Sequence, residues 1–224
     1  MKTPFVVHWP AGITKPGSAP DALLSVIDIA PTLLQLAGAA PGSSFQGKSF
    51  AQLLKEPDQP FRDYVFAEHN WHDYEALERM VRGKDFMYVL NERAQLPNQG
   101  PADSNRSLSF LDLLEKKEQG ELTAAQAEIF AAPRPVEELF DCTSDSLQLL
   151  NLASVAAQQN KLRQLRQVME EWRRQTLDNT PENLTPDKYH RQTGANLGQG
   201  MQPERGEMPG EATGAVKTGN SGPF

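Results

Sequence analysis

Two stretches decide the fold: Phe5-Val6-Val7-His8-Trp9-Pro10-Ala11-Gly12-Ile13 and Ser25-Val26-Ile27-Asp28-Ile29-Ala30-Pro31-Thr32-Leu33-Leu34. The first opens on an almost unbroken apolar run of strand formers, the pattern of a strand covered on both faces. Pro10 to Ser18 is rich in turn formers and leads away from it. The second predicts a helix, with Asp28 as its cap, Pro31 tolerated in its first turn, and Gly38 as its stop. Strand, loop and helix in this order suit the last unit of an α/β domain.

Working outward, residues 42–60 read as a connection, closed by Pro57 and Pro60. Tyr64-Val65-Phe66-Ala67 then reads as a strand. Arg79-Met80-Val81-Arg82 and Asp85-Phe86-Met87-Tyr88-Val89-Leu90 read as a hairpin turning at Gly83-Lys84. Leu108 to Leu122 has the spacing of a surface helix, and Glu137 to Asp141 reads as a further short strand. The clearest helical pattern is Val155 to Leu177, with Leu162, Leu165, Met169 and Trp172 on one face. From Asn179 onward large apolar residues are scarce, and a disordered tail is expected. The expected organisation is therefore 1–60 as the end of a larger α/β domain, 61–178 as an antiparallel sheet with helices, and 179–224 as a tail.

The chain has 224 residues, 38% hydrophobic and 23% charged, with a formal net charge of −7. Such a balance disfavours a general nucleic-acid binder, which needs basic surface to displace counterions. The single cysteine, Cys142, excludes an internal disulfide and reads as a small, partly buried residue rather than a nucleophile. No stretch approaches the roughly 18 apolar residues of a membrane span. The first residues lack the apolar run of a secretory signal, and a buried strand so close to Met1 reads as domain interior.

In order along the chain, these stretches resemble sulfatases of the alkaline-phosphatase-like superfamily. The first two match a core strand ending in a Trp-Pro-Gly turn, here with Ala11 inserted, and a helix opening on Asp-Ile-x-Pro-Thr. Gln46-Gly47-Lys48-Ser49-Phe50 and Arg62-Asp63-Tyr64-Val65-Phe66-Ala67-Glu68-His69 resemble the crossing to the C-terminal sheet. Glu138-Leu139-Phe140-Asp141, Asp145 and Asn151-Leu152-Ala153 resemble the ending, with Ser146 in place of the usual proline. The resemblance covers residues 3–175. His69-Asn70-Trp71-His72-Asp73-Tyr74 is similar to members like heparan N-sulfatase, which act on sulfated sugars.

The resemblance implies the α/β fold class: a last strand-helix unit of the large domain plus a small C-terminal antiparallel sheet packed with helices. It also implies a hydrolase of sulfate esters or N-sulfates. Family sulfatases use a formylglycine from a Cys/Ser-x-Pro-x-Arg motif and a calcium held by Asp and Asn side chains. Neither motif is present here: Cys142 is followed by Thr143-Ser144-Asp145. The expectation is thus a sulfatase portion inactive alone, with no catalytic or metal-binding residue of its own. Its partners would be the missing N-terminal half and a sulfated carbohydrate. Family members are usually periplasmic, secreted or lysosomal.

Lys2 stands near a family position for sulfate binding, but its spacing favours a structural role. His69, His72 and Trp71 are the candidates for sugar contact, because imidazoles donate to sulfate or hydroxyls from a loop after a strand. Against this stands a capping role at the subdomain seam, with a two-histidine metal site as a third reading. Arg82 is either an anion contact or a hairpin charge, and His8 is expected to be a buried, satisfied histidine. A non-catalytic glycan-binding module and a phosphoesterase of the same superfamily are the competing readings.

Overall fold

The computed structural model describes residues 3–98, 100–198, 205–219, 222 and 223. Lys2 lies outside them. A four-stranded antiparallel sheet forms the centre, in the order β1 (Val65–His72), β2 (Tyr74–Arg82), β3 (Phe86–Asn91) and β4 (Glu137–Asp141). Sequential antiparallel neighbours need only short connections, and β2 and β3 join through Gly83-Lys84-Asp85 with Arg82 opposite Met87. β4 returns after an excursion through helices α2 (Leu108–Gln119) and α3 (Ala124–Ala127), and pairs Tyr88 with Leu139.

Helix α4 (Gln159–Thr176) lies across this sheet. Its Leu162, Leu165 and Met169 recur at helical spacing and join Val81, Tyr88 and Leu139 in the buried core. Phe66 stacks on Trp172 at the margin, with ring centroids 5.2 Å apart. α2 buries nothing, as expected of a surface helix; the Ser107 hydroxyl caps its start and Gly120, at φ 73°, ends it. On the edge of β4 away from β3, Asn151 accepts from the Leu139 N–H and donates to the Glu137 carbonyl, so that edge is covered.

Helix α1 (Ile29–Leu36) forms where predicted, but Asp28 does not cap it. The Asp28 carboxylate, fully buried, instead accepts from the backbone N–H groups of Ser25 and Lys48 and pairs with Arg62 at 2.6 Å. Thr32 extends the link: its hydroxyl donates to the Asp28 carbonyl and accepts from the Phe50 N–H. The Asp-Ile-x-Pro-Thr signature thus ties residues 25–62 into one unit. Gly47 sits where this unit is tightest, since a Cβ there would lie 1.9 Å from the Ile27 carbonyl oxygen. Backbone cannot yield as a side chain does, so Gly47→Ala is expected to cost about 1–3 kcal/mol in chemical denaturation. A change within error would show that the loop moves aside freely.

Residues 5–9 form no strand in this structure, contrary to the sequence reading. Phe5 is 50% and Val6 88% exposed, and His8 is exposed rather than buried. A strand is completed by neighbours that take up its N–H and C=O groups, and no described residue pairs with this one. Only the turn is local: the Trp9 carbonyl accepts from Gly12 and Ile13 N–H, with the indole lying over Gly12.

The expected tail also differs. Residues 178–191 are held against the sheet by polar contacts instead of apolar burial, beginning with Asp178, which receives two hydrogen bonds from the buried Arg79 at 2.9 and 2.8 Å. Composition reports apolar burial, and these contacts are ion pairs and backbone bonds.

Candidate functional site

The site is built at the tip of the β1–β2 hairpin. β1 runs on through His72, so His69, Trp71 and His72 lie on a strand end and not in a loop after it. A register shift between His69 and Trp71 loosens the ladder there, and Asp73, at φ 64°, makes the turn into Tyr74. Histidines and indole are thereby placed within four residues at one end of the sheet.

His69 Nδ1 is 3.1 Å from Glu78 Oε2 on the facing strand, and Arg134 pairs with the other Glu78 oxygen. Burial pushes the Glu78 carboxyl up, but the hydrogen bonds from His69 and Arg134 together outweigh it and hold it below the usual value. Its contribution to stability is therefore present above the ordinary glutamate pKa and is lost as pH falls through the lowered one. His72 is more open: 65% of its side chain is exposed, and its Nδ1 is 3.7 Å from the Asp73 carboxylate. Trp71 is half-buried, and its indole N–H donates to the Pro186 carbonyl at 2.8 Å.

Beside the tip is a cavity of about 40 Å³ bordered by His69, His72, Glu78, Arg93, Arg134 and Arg191. By volume it holds on the order of three waters, the size of one anionic group and far less than a sugar ring. Each arginine faces a carboxylate: Arg93 on Glu75, Arg134 on Glu78, and Arg191 on Asp187. The Arg93 Nε is 2.5 Å from Glu75, yet its N–H is not aimed along that line and makes no hydrogen bond. Arg93, Arg134 and Arg191 were not legible as site residues, because each reaches the cavity from a segment distant in sequence. Near Arg134, the Glu138 carboxyl is pushed up by burial, which outweighs the hydrogen bond from Asn91 and the charge of Arg134. The protonated form is favoured in the fold, so Glu138 lowers stability as pH rises from the ordinary value through the raised one. Glu138→Gln keeps the acceptor for Asn91, and a gain of roughly 0.5–1 kcal/mol near pH 8, shrinking towards pH 5, is expected in thermal melts. An equal effect at both pH values would contradict the assignment.

Arg82 does not join the group. It pairs with Val65, seven positions along β1 from His72, or about 23 Å at strand rise. Cys142 donates weakly to the Phe140 carbonyl, and burial pushes its thiol up, which is the behaviour of a structural cysteine. Among the described residues no group of three or more His, Cys, Asp or Glu side chains could hold a metal ion, so the donors present do not fit one. No described helix is long and apolar enough to cross a membrane.

The chain is similar to known proteins over much of its length. Residues 1–96 match the family described as N-sulphoglucosamine sulphohydrolase, C-terminal. An ulvan-active sulfatase of Formosa agariphila is 36% identical over 177 residues, covering 77% of this chain and 28% of that protein. A second ulvan-active sulfatase of the same organism is 28% identical over 159 residues, covering 69% and 29%. A solved structure of a protein in complex with its substrate, D-glucosamine-2-N,6-O-disulfate, shares the fold. Its TM-score is 0.52 at 19% identity, over 74% of this chain and 27% of that one. Fold and matches define the class: the chain matches the C-terminal portion of sulfatases in sequence and shares the fold of a solved member's counterpart region. The family match of its first 96 residues is to the C-terminal region of N-sulphoglucosamine sulphohydrolase. The chain spans less than a third of the length of the curated relatives it matches. The sulfatase relationship carries a metal cofactor with it in general, and the described residues supply no site for one.

Proposed function

We propose that this chain serves a sulfatase acting on sulfated sugars, as the portion that borders the substrate and not the portion that performs the chemistry. The nucleophile and the metal, calcium by the family resemblance, belong to the rest of such an enzyme. The observation that carries the reading is the hairpin tip, where His69 and His72, with Trp71 between them on the strand, border a cavity of one anion's size that guanidinium groups also line. Imidazole and guanidinium groups donate to sulfate oxygens and hydroxyls, and an indole face covers the apolar face of a sugar. Arg82 stays outside this reading.

The partner is the larger α/β portion of a sulfatase. Phe5, Val6, Trp9, Val26, Ile27 and Leu33 are all more than a third exposed, a concentration of apolar surface that isolated domains normally cover. Residues 5–9 would then gain the neighbours that complete a strand.

Titration calorimetry of the purified chain with 2-N,6-O-disulfated glucosamine and with its desulfated form tests the sugar reading. Binding of the sulfated sugar alone, weakened at least about tenfold in His69→Ala/His72→Ala, is expected, which corresponds to a loss of roughly 1.4 kcal/mol. Equal binding of both sugars, or none at millimolar concentration, would overturn it.

A further inference from the structure

We propose that residues 186–191 form a strap that completes the hairpin tip, with Asp187 and Arg191 as positioning residues for His69, Trp71 and His72. The ladder shows why a strap is needed. β3 pairs with β2 only from Glu78 to Arg82, so the first four residues of β2 lack a β3 neighbour. Glu92 N–H supplies Leu77, but the outward N–H and C=O of Glu75 have no strand beside them. The strap takes that place with side chains. Asp187 Oδ1 accepts from the Glu75 N–H at 2.6 Å, and Arg191 Nη2 donates to the Glu75 carbonyl at 2.6 Å.

The two side chains also hold each other. Arg191 Nε and Nη2 donate to the two Asp187 oxygens at 2.7 and 2.8 Å, and the pair is largely buried, at 13% and 23% side-chain exposure. Arg191 further donates to the Pro97 carbonyl at 2.9 Å and lies over the Tyr74 ring, 5.1 Å from its centroid. A planar fork with five donors meets these directions at once; an ammonium does not. Along the same strap Pro186 accepts from the Trp71 indole, and the Lys188 N–H donates to the Asp73 carbonyl at 2.7 Å. Both residues flank His72. The strap thus fixes the turn from the outside while Arg191 borders the cavity from the inside. The Tyr189 to Asn196 bridge and the Leu197 N–H bond to the Lys188 carbonyl fold the chain back on itself and keep the strap short.

The positioning role rests on the sugar-binding reading, and two measurements on the full chain separate them. Amide exchange followed by NMR reports the strap without any ligand. Arg191→Ala is expected to speed exchange at Glu75, Lys188 and the Trp71 indole at least about tenfold, while Tyr88 and Leu139 stay as protected as before. Arg191→Lys should recover only part of that protection. Uniform loss across the sheet, or no change at Glu75 and the indole, would overturn the strap. Affinity for 2-N,6-O-disulfated glucosamine should fall about tenfold in Arg191→Ala and less in Arg191→Lys. An unchanged affinity alongside faster exchange would overturn the positioning role. If the unaltered chain does not bind the sugar, the sugar reading fails and positioning for it fails too, while the exchange data still decide the strap.

Discussion

Asp28→Ala is expected to cost about 3–5 kcal/mol, the range for removing one member of a buried ion pair. The carboxylate is 0% exposed and its Arg62 partner 1%, so water screens neither. Alanine would take the counter-charge from a buried guanidinium and leave the Ser25 and Lys48 N–H groups without their acceptor. Urea denaturation with intrinsic fluorescence measures the loss, and Asp28→Asn separates its parts. Asparagine retains one oxygen acceptor but not the charge, so it should fall between wild type and alanine. A loss below about 1 kcal/mol for alanine would mean that Arg62 is held chiefly by other groups.

Arg79→Met is the second large effect, at about 3 kcal/mol. Arg79 is wholly buried and donates to Asp178 twice, to Asn70 Oδ1 at 2.7 Å and to the Glu78 carbonyl at 2.8 Å. It therefore joins β1, β2 and the chain leaving α4. Asp178 has a second cation, Arg173 Nε at 3.0 Å, which limits the damage to one side of the pair. A double-mutant cycle with Asp178→Leu should show a coupling above about 1 kcal/mol, since both changes remove the same contact. Additive losses would place the stabilisation elsewhere. Because Asp178 leads into the strap, Arg79→Met should also loosen Trp71, which indole exchange would show.

Local pattern carried much of the fold. The β2–β3 hairpin, the α4 face of Leu162, Leu165 and Met169, and surface helix α2 all appeared close to where they were read, because period and turn residues lie within the element itself. The placement of His69, Trp71 and His72 together was legible for the same reason: four consecutive residues cannot part far. Their surroundings were not. Glu78 reaches His69 across the ladder, Arg134 arrives from between two prolines, and Arg191 comes from a stretch too polar to suggest order.

The sequence by itself determined the β2–β3 turn, β4, helices α2 and α4 and the sulfatase likeness, since these reside in short-range pattern, whereas α3, the first half of β2 and the run of β1 on through His72 were not read from it. Tertiary structure alone decided what the charged residues do. Asp28 became a counter-ion to Arg62, 34 residues away, instead of a helix cap; Arg79 found Asp178 across 99 residues; Asp187 and Arg191 replaced a missing strand. Tertiary structure decided against a strand at Phe5 to Trp9 as well. Periodicity reports which side chains prefer burial, whereas an ion pair or a strand exists only when a second segment arrives at hydrogen-bonding distance.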